Sequence, residues 1–288
     1  MIVSVASGKG GTGKTTVAAS LANVWESPVV AVDLDVEAPN LALFLKPEIS
    51  GRDTVSLEIP ILDASKCTLC GVCADFCQFA AIATIGNMLL TFPEMCHGCG
   101  GCIAICPEHA LAAGARELGV IESGYLGEMR FLAGRLCIGE AMSAPVIRAV
   151  KQRLAVELAL APADAIVDAP PGVSCPALNA VMDSDVIVLV TEPTPFGFHD
   201  FRLAFEAFAP LGKAMGAVIN RAGLGDEAVT RFCRENRLPV LAEIPLERAI
   251  AQGYARGRVI ASLGPTYRET FVRLRDAVKA RAAEAVHA

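Results

Sequence analysis

A glycine-rich loop near the N-terminus constrains the fold of this chain more than any other feature. Residues 8–15, Gly-Lys-Gly-Gly-Thr-Gly-Lys-Thr, match G-x-x-x-x-G-K-[ST]. An apolar strand pattern at residues 2–5 precedes the loop, and a helical pattern at residues 14–25 follows it. A glycine turn that binds nothing is the alternative, but the strand and helix on either side favour a phosphate-binding loop.

The residue types of this loop suit a nucleoside triphosphate. Glycines let backbone N–H groups turn toward phosphate oxygens at a helix N-terminus. Lys14 would neutralise the β- and γ-phosphates, and the Thr15 hydroxyl would ligate Mg²⁺. The predicted phosphate contacts are Gly8, Gly10, Gly11, Thr12, Gly13, Lys14, Thr15 and Thr16.

Short apolar runs alternate with helical patterns along the rest of the chain. After a strand at residues 29–32, such runs recur at 165–167, 186–190, 217–219 and 240–244. The alternation predicts an α/β fold, with a mostly parallel sheet between helices and ligand sites beyond the carboxyl ends of the strands. Residues 120–125 and 129–132 flank a glycine-containing turn and predict a β-hairpin.

A cysteine-rich segment interrupts this alternation. Eight of the 11 cysteines lie between residues 67 and 106, in two C-x₂-C-x₂-C-x₃-C runs that repeat after 29 positions: Cys67, Cys70, Cys73 and Cys77, then Cys96, Cys99, Cys102 and Cys106. This is the spacing of bacterial ferredoxins, in which the fourth cysteine of each run ligates the other [4Fe–4S] cluster. The first run has Gln78 where the second has Pro107. Paired zinc sites are the disfavoured alternative, since zinc sites use isolated C-x₂-C pairs.

These runs predict two clusters and a discontinuous domain organisation. The first cluster would use Cys67, Cys70, Cys73 and Cys106, and the second Cys77, Cys96, Cys99 and Cys102. We call residues 58–113 the cysteine insert, a predicted small α+β ferredoxin-like domain. Residues 1–57 and 114–288 then form the nucleotide-binding domain.

Composition excludes several classes of partner. The chain carries 25 Lys and Arg against 31 Asp and Glu, a net charge of −6, so a nucleic-acid-binding surface is not expected. No apolar run approaches the roughly 20 residues of a membrane span, and the N-terminus lacks a signal-peptide pattern. A cytoplasmic location is expected, and positioning on a membrane or DNA is a weak alternative.

The segment Gly8-Lys9-Gly10-Gly11, with its additional lysine, resembles the variant phosphate loop of the MinD/ParA class. That class includes the nitrogenase iron protein and Mrp-type cluster carriers. The resemblance covers the chain outside the insert. It implies that Lys9 reaches the phosphates of a partner subunit, in a homodimer or a heterodimer with a homologous ATPase. It also implies that Asp35 orients the attacking water, that Asp33 supports the Mg²⁺ shell and that Asp168 belongs to the second switch.

Two further segments match the family's base-binding loops. Asn220-Arg221 resembles its adenine-recognising asparagine, and the segment ending in Pro245 resembles the later base-side loop. The guanine-reading Asn-Lys-x-Asp pattern is absent, which favours ATP over GTP.

Cysteines outside the insert raise the question of a third cluster. Cys175 and Cys137 lie about as far from Asp168 as the nitrogenase iron protein's cluster ligands lie from its switch aspartate. Burial as small packing residues is the competing interpretation for both, and packing is expected for Cys233. His97, His109 and His199 are expected to be exposed loop residues.

The sequence thus predicts an ATPase that couples nucleotide switching to electron transfer through two [4Fe–4S] clusters. Its expected cofactors are ATP, Mg²⁺ and the two clusters, and its expected partner is a redox protein. An iron–sulfur assembly carrier of the Mrp type, which passes a cluster to client proteins, is the alternative.

Overall fold

A nine-stranded sheet organises the molecule, which a computed structural model describes for residues 1–286. Its strand order is β11-β10-β9-β1-β8-β2-β7-β6-β3, and the two remaining strands, β4 and β5, pair separately. The strands are β1 (Ile2–Ala6), β2 (Val29–Asp33), β3 (Glu48–Leu62), β4 (Ile82–Ile85), β5 (Met88–Thr91), β6 (Leu111–Leu126), β7 (Met129–Leu136), β8 (Asp164–Asp168), β9 (Val186–Thr191), β10 (Ala214–Ala222) and β11 (Val240–Pro245).

Residues 1–286 contain ten α-helices, which lie between these strands or after the last of them. They are α1 (Lys14–Asn23), α2 (Leu41–Leu45), α3 (Val72–Phe76), α4 (Gly101–Ala104), α5 (Ser143–Leu160), α6 (Cys175–Val181), α7 (Pro195–Phe208), α8 (Ala228–Glu235), α9 (Arg248–Ala255) and α10 (Pro265–Val286). Short 3₁₀ turns lie at Pro93–Met95, Ala209–Leu211 and Ile260–Ser262. None of the described helices is long and apolar enough to cross a bilayer.

The central strands are parallel and buried on both faces, which confirms the predicted α/β class. β1 pairs in parallel with β8 on one side and β9 on the other. Helices α1 and α10 pack on one face, where Val17, Leu21 and Phe271 are fully or almost fully buried. Helices α5, α7 and α8 cover the other face. Unbroken Val, Ile and Leu runs suit strands that are covered on both sides.

The predicted hairpin is β6 and β7, whose antiparallel pairing ends at Leu126 and Met129. β3 pairs antiparallel with β6 over its full length and forms the sheet edge. β6 leaves β7 at Gly119, so residues 56–62 and 111–117 continue as a two-stranded ribbon beyond the sheet. The domain boundaries predicted at 57/58 and 113/114 fall inside this ribbon.

The end of the ribbon carries the remainder of the cysteine insert. Helices α3 and α4 are single turns, and β4 and β5 form a small hairpin. Its core contains the side chains of Cys73, Cys102, Ile82, Leu89 and Leu111. So few apolar side chains bury little surface, and units of this size usually depend on metal or disulfide cross-links for stability.

Candidate functional site

The glycine loop lies between β1 and α1, at the carboxyl edge of the parallel strands, and opens into a cavity of about 660 Å³. Gly13, with φ +95°, directs the chain into α1. Sites at this edge are the rule in parallel α/β sheets. Most of the predicted nucleotide contacts line the cavity: Gly10, Gly11, Gly13, Lys14, Thr15, Thr16, Asp35, Asn220, Arg221 and Pro245. Gly8 lies against the backbone of Asp200 instead, and Thr12 is buried beneath the loop.

Three aspartates from two neighbouring strand ends surround one buried lysine. The Lys14 ammonium lies 3.1 Å from Asp168 Oδ1 and 3.2 Å from Asp35 Oδ2. Asp33 accepts hydrogen bonds from the backbone N–H groups of Asp35 and Leu41. Three carboxylates against one ammonium leave surplus negative charge, which favours a divalent cation. Asp168 Oδ2 is buried and has no hydrogen-bond partner among the described residues.

Burial sets the protonation behaviour of this group. Burial and the nearby Asp168 charge raise the pKa of Asp33 well above its usual range. Burial also raises the pKa of Asp168, although the Lys14 ammonium opposes the shift. For Lys14, burial alone would lower the pKa, but the carboxylates of Asp168 and Asp35 raise it on balance. A cation bound beside these aspartates would relieve their mutual repulsion.

The carboxyl end of β10 contacts the phosphate loop. Asn220 Nδ2 donates to the Thr12 carbonyl oxygen at 2.7 Å, and the Arg221 guanidinium donates to the Gly11 carbonyl at 3.2 Å. Both residues therefore hold the phosphate loop itself in this state. Arg221 has φ +57°, a conformation that few non-glycine residues adopt.

A less polar pocket extends from this point toward α9. Pro245, Leu246 and Ile250 line it, with Phe44 and Tyr254 tilted together at a ring-centroid distance of 5.4 Å. Flat aromatic and aliphatic surfaces suit a purine base. The sequence analysis identified Pro245 and missed the two rings, since neither belongs to a motif.

Glu192 is a second residue that the sequence analysis missed. It follows β9, and its carboxylate lies 2.8 Å from Lys9 Nζ. Its position at the end of an apolar strand, like that of Asp33 and Asp168, is the signal that could have identified it. Lys9 therefore pairs within its own subunit in this structure.

The eight clustered cysteines line two cavities in the insert. One cavity, of about 20 Å³, is lined by the predicted first set, Cys67, Cys70, Cys73 and Cys106. The other, of about 240 Å³, is lined by the predicted second set, Cys77, Cys96, Cys99 and Cys102. Among the described residues, no group of three or more His, Cys, Asp or Glu is placed to hold a single metal ion. Burial raises the pKa values of the Cys73 and Cys102 thiols.

Backbone amides point toward several of these sulfurs. The Ala81 and Ala110 N–H groups each lie 3.3 Å from a thiol sulfur, those of Cys77 and Cys106 respectively. The Gly98 N–H lies 3.4 Å from Cys96 Sγ. Such N–H groups stabilise a thiolate more than a neutral thiol.

The other cysteines and histidines are dispersed. Cys137 follows β7, with its sulfur 3.7 Å from Glu117 Oε1, and Cys175 is exposed at the start of α6. Neither lines the nucleotide cavity or the two insert cavities. Cys233 is buried in α8, as expected. The three histidines named above are exposed, as expected, but His199 lies in α7 and not in a loop. His97 stacks on Phe79 with ring centroids 3.7 Å apart.

Comparison with known proteins gives relatives over most of the chain. It is 35% identical to MJ0578 of Methanocaldococcus jannaschii over 235 residues, 78% of this chain and 80% of that protein. It is 28% identical to MJ0579 of the same organism over 271 residues, 89% and 90% of the two chains.

Solved structures give the fold. The Pyrococcus furiosus cell division ATPase MinD superposes with a TM-score of 0.57 at 23% identity, covering 97% of this chain and 98% of that one. Pyrococcus horikoshii MinD, complexed with Mg-ADP, gives 0.56 at 20% identity over 99% and 98%. At these identities the likeness establishes a MinD-type fold. The family model described as the CobQ/CobB/MinD/ParA nucleotide binding domain matches residues 3–260, and the chain belongs to that family.

Proposed function

We propose that this protein is an ATPase that couples its nucleotide state to electron transfer through two [4Fe–4S] clusters held by the cysteine insert. One observation carries the proposal: each insert cavity is lined by four cysteines, and the two sets are the crossed sets that the ferredoxin spacing predicts. One cysteine of each set comes from the other run: Cys106 joins the first set and Cys77 the second. Residues that are far apart in the sequence therefore line the same cavity.

The donor chemistry of both cavities fits an iron–sulfur cluster. Each offers four thiols, and N–H groups lie beside Cys77, Cys96 and Cys106. A four-iron cube binds its thiolates at its corners, so the four sulfurs need not converge on one point as they would around zinc. When bound, such a cluster accepts and donates single electrons.

The nucleotide cavity fits MgATP. Lys14 and Thr15 line the cavity, where Lys14 would contact the β- and γ-phosphates and Thr15, with Asp33, would complete the Mg²⁺ environment. Asp168 has a buried oxygen that is unpartnered among the described residues and could accept from a metal-bound water. Asp35 would orient the attacking water, and Asn220 and Pro245 would lie on the side of the base.

Backbone hydrogen bonds link the edge of this cavity, through the end of β7, to the start of the ribbon. The Val36 carbonyl, next to Asp35, accepts from the Leu136 N–H at 2.8 Å. The next residue, Cys137, donates its N–H to the Leu118 carbonyl at 2.8 Å. A movement of the loop at Asp35 would therefore displace the end of β7 and, through it, the start of the ribbon.

A half-buried ion pair between Arg116 and Glu140 extends this connection into the ribbon. Arg116 forms two hydrogen bonds of 2.8 Å with the carboxylate of Glu140, which lies in the segment between β7 and α5. That segment ends at Ser143, which lines the nucleotide cavity. The segment between β7 and α5 therefore contacts the ribbon through Glu140 and reaches the nucleotide cavity at Ser143.

The proposal includes a dimer and a redox partner. Lys9 would contact the phosphates bound by a second subunit, which is either another copy or a homologous ATPase. The surface of the insert, with Phe76 and Phe79 exposed, is available to a redox protein.

The test is the EPR spectrum of the anaerobically purified, reduced protein with and without MgATP, normalised to iron and sulfide. We expect about eight irons per chain and a nucleotide-dependent spectrum. Glu140→Gln should keep the iron and the ATPase activity but weaken the spectral response. Absence of iron in the anaerobic protein would refute the cluster assignment, and a spectrum indifferent to MgATP would refute the coupling.

An iron–sulfur carrier is the second candidate, and the exposed Cys175 favours it. A labile cluster needs an accessible ligand, and Cys175 lies seven residues after Asp168, at the edge of the nucleotide site. Transfer of iron and sulfide from the protein to an apo-ferredoxin would support this function. Cys175→Ser should abolish the transfer while the insert retains its iron.

A further inference from the structure

Glu192 is a buried carboxylate with two cationic partners. Its side chain is 8% exposed, against 29% for Lys9 and 44% for Arg221. Lys9 Nζ donates to Oε1 at 2.8 Å, and the Arg221 guanidinium pairs with Oε2. Each carboxylate oxygen therefore has its own cation. Lys9 belongs to the phosphate loop, and Arg221 lies at the carboxyl end of β10.

The backbone around Glu192 fixes this carboxylate in place. The Thr194 hydroxyl lies 3.3 Å from Oε1 and also accepts from the Gly197 N–H at 3.0 Å, which caps α7. A Cβ atom at Gly197 would overlap the Glu192 carbonyl, so the turn requires glycine there. The Thr194 hydroxyl and the turn at Gly197 therefore help to position the carboxylate.

The two cations differ in what they hold. Arg221 donates to the Gly11 carbonyl as well as to Glu192, so it links the carboxyl end of β10 to the phosphate-loop backbone. Lys9 has no other ion-pair partner among the described residues, and its ammonium is partly solvated. Of the two contacts, the one with Lys9 is easier to exchange for another anion.

We propose that Glu192 is a positioning residue that holds Lys9 against its own subunit until a nucleotide-loaded partner subunit offers its phosphates instead. The inference rests on the proposed function, in which Lys9 acts across a dimer. A triphosphate carries more negative charge than one carboxylate and can displace it. Glu192 then sets the ATP concentration at which subunits associate, while its contact with Arg221 keeps the phosphate loop in shape.

The charges agree with this role. Burial alone would raise the pKa of Glu192, but Lys9 and Arg221 lower it on balance, so the carboxylate is ionised at neutral pH and competes with phosphate as an anion. Glutamine is nearly the same size and can still accept from Arg221 and Thr194. Glu192→Gln therefore removes the charge and leaves the turn in place.

The experiment compares four forms of the full, cluster-loaded protein: wild type, Glu192→Gln, Arg221→Gln and the double variant Glu192→Gln with Lys9→Gln. Two quantities are measured. One, for the three forms that retain Lys9, is the rate at which an acylating reagent modifies Lys9 in the nucleotide-free protein. Mass spectrometry identifies the modified residue. The other is the MgATP concentration that gives half-maximal dimer in sedimentation.

Glu192→Gln should raise the Lys9 modification rate and lower the half-maximal MgATP concentration, each by about fivefold, as expected for loss of about 1 kcal/mol of charge-assisted hydrogen bonding. Arg221→Gln should not raise the Lys9 modification rate, because Lys9 keeps its contact with Glu192. The double variant should lose the gain in dimerisation, because the gain acts through Lys9.

Unchanged Lys9 reactivity in Glu192→Gln would overturn the inference, whatever the protein's oligomeric state. So would a gain in dimerisation that persists without Lys9. A wild-type protein that binds MgATP and stays monomeric would refute the dimeric part of the proposed function and, with it, the effect on association. The reactivity measurement would still decide the contact between Lys9 and Glu192.

Discussion

Replacing Lys14 by methionine should destabilise the nucleotide-free protein by about 3–5 kcal/mol, the range expected when one member of a buried ion pair is removed. Lys14 is 6% exposed, and Asp168 is fully buried. Methionine fills the space of the lysine stem, so the loss arises from charge and not from a cavity. The buried carboxylates of Asp33, Asp35 and Asp168 then have no ammonium to offset them.

The loss should depend on pH. The folded-state pKa values of Asp33 and Asp168 are already raised, so the native state binds more protons than the unfolded chain. Proton binding by these two groups therefore adds to the free energy of unfolding, and this addition is lost as the pH rises through their folded-state pKa values. Removing Lys14 raises both values further. Lys14→Met should therefore lower the free energy of unfolding more at pH 8 than at pH 6. The difference is up to about 1.4 kcal/mol per pH unit for each extra proton that the folded variant binds.

The assay is urea unfolding without Mg²⁺, followed by tryptophan fluorescence. Trp25 is the only tryptophan in the chain and is buried in the core beside α1, so its emission reports on the nucleotide-binding domain and not on the insert. Arg273→Met, which removes an exposed pair with Glu269 on α10, is the matched control and should have no measurable effect. A loss below about 1 kcal/mol that is equal at both pH values would refute the reasoning.

Three further predictions concern other parts of the molecule. Gly8→Ala would place a Cβ atom on the Asp200 carbonyl and should lower urea stability by about 2 kcal/mol, whereas Gly10→Ala meets open space and should not. Burial raises the pKa of Cys233 to about 11. Iodoacetamide at pH 8 should therefore label the exposed Cys175 and reach Cys233 only after unfolding. Labelling of Cys233 in the folded protein would contradict its burial. Mg²⁺ competes with protons for the Asp168 site, so it should stabilise the folded protein more at pH 8 than at pH 5.5 in thermal melts, and equal stabilisation would count against that site.

The sequence identified the features that are encoded locally. The glycine loop needs only a strand, particular residue types and a helix in succession, and each is visible within residues 2–25. Buried parallel strands are likewise recognisable as unbroken apolar runs. The crossed cysteine sets followed from the repeat, and each set lines one cavity.

The ribbon was not visible in the sequence. β3 has the pattern of an edge strand whose side chains are mostly exposed, so it lacks a continuous apolar run, and its pairing with β6 joins residues up to 77 positions apart. Such pairing depends on where the sheet places the two strands, which no local pattern encodes.

The same limit applies to the charged groups of the site. Sequence reasoning placed Asp35 and Asp168 at strand ends, but only the tertiary structure brings both to Lys14 and leaves one Asp168 oxygen without a partner within residues 1–286. Lys9 was expected to reach a partner subunit, a prediction that a single chain does not test; within this chain the fold pairs Lys9 with Glu192, 183 positions away. Strand and loop identities depend on neighbours in the chain, whereas ion pairs and pKa values depend on burial and distance, which exist only once the sheet has assembled.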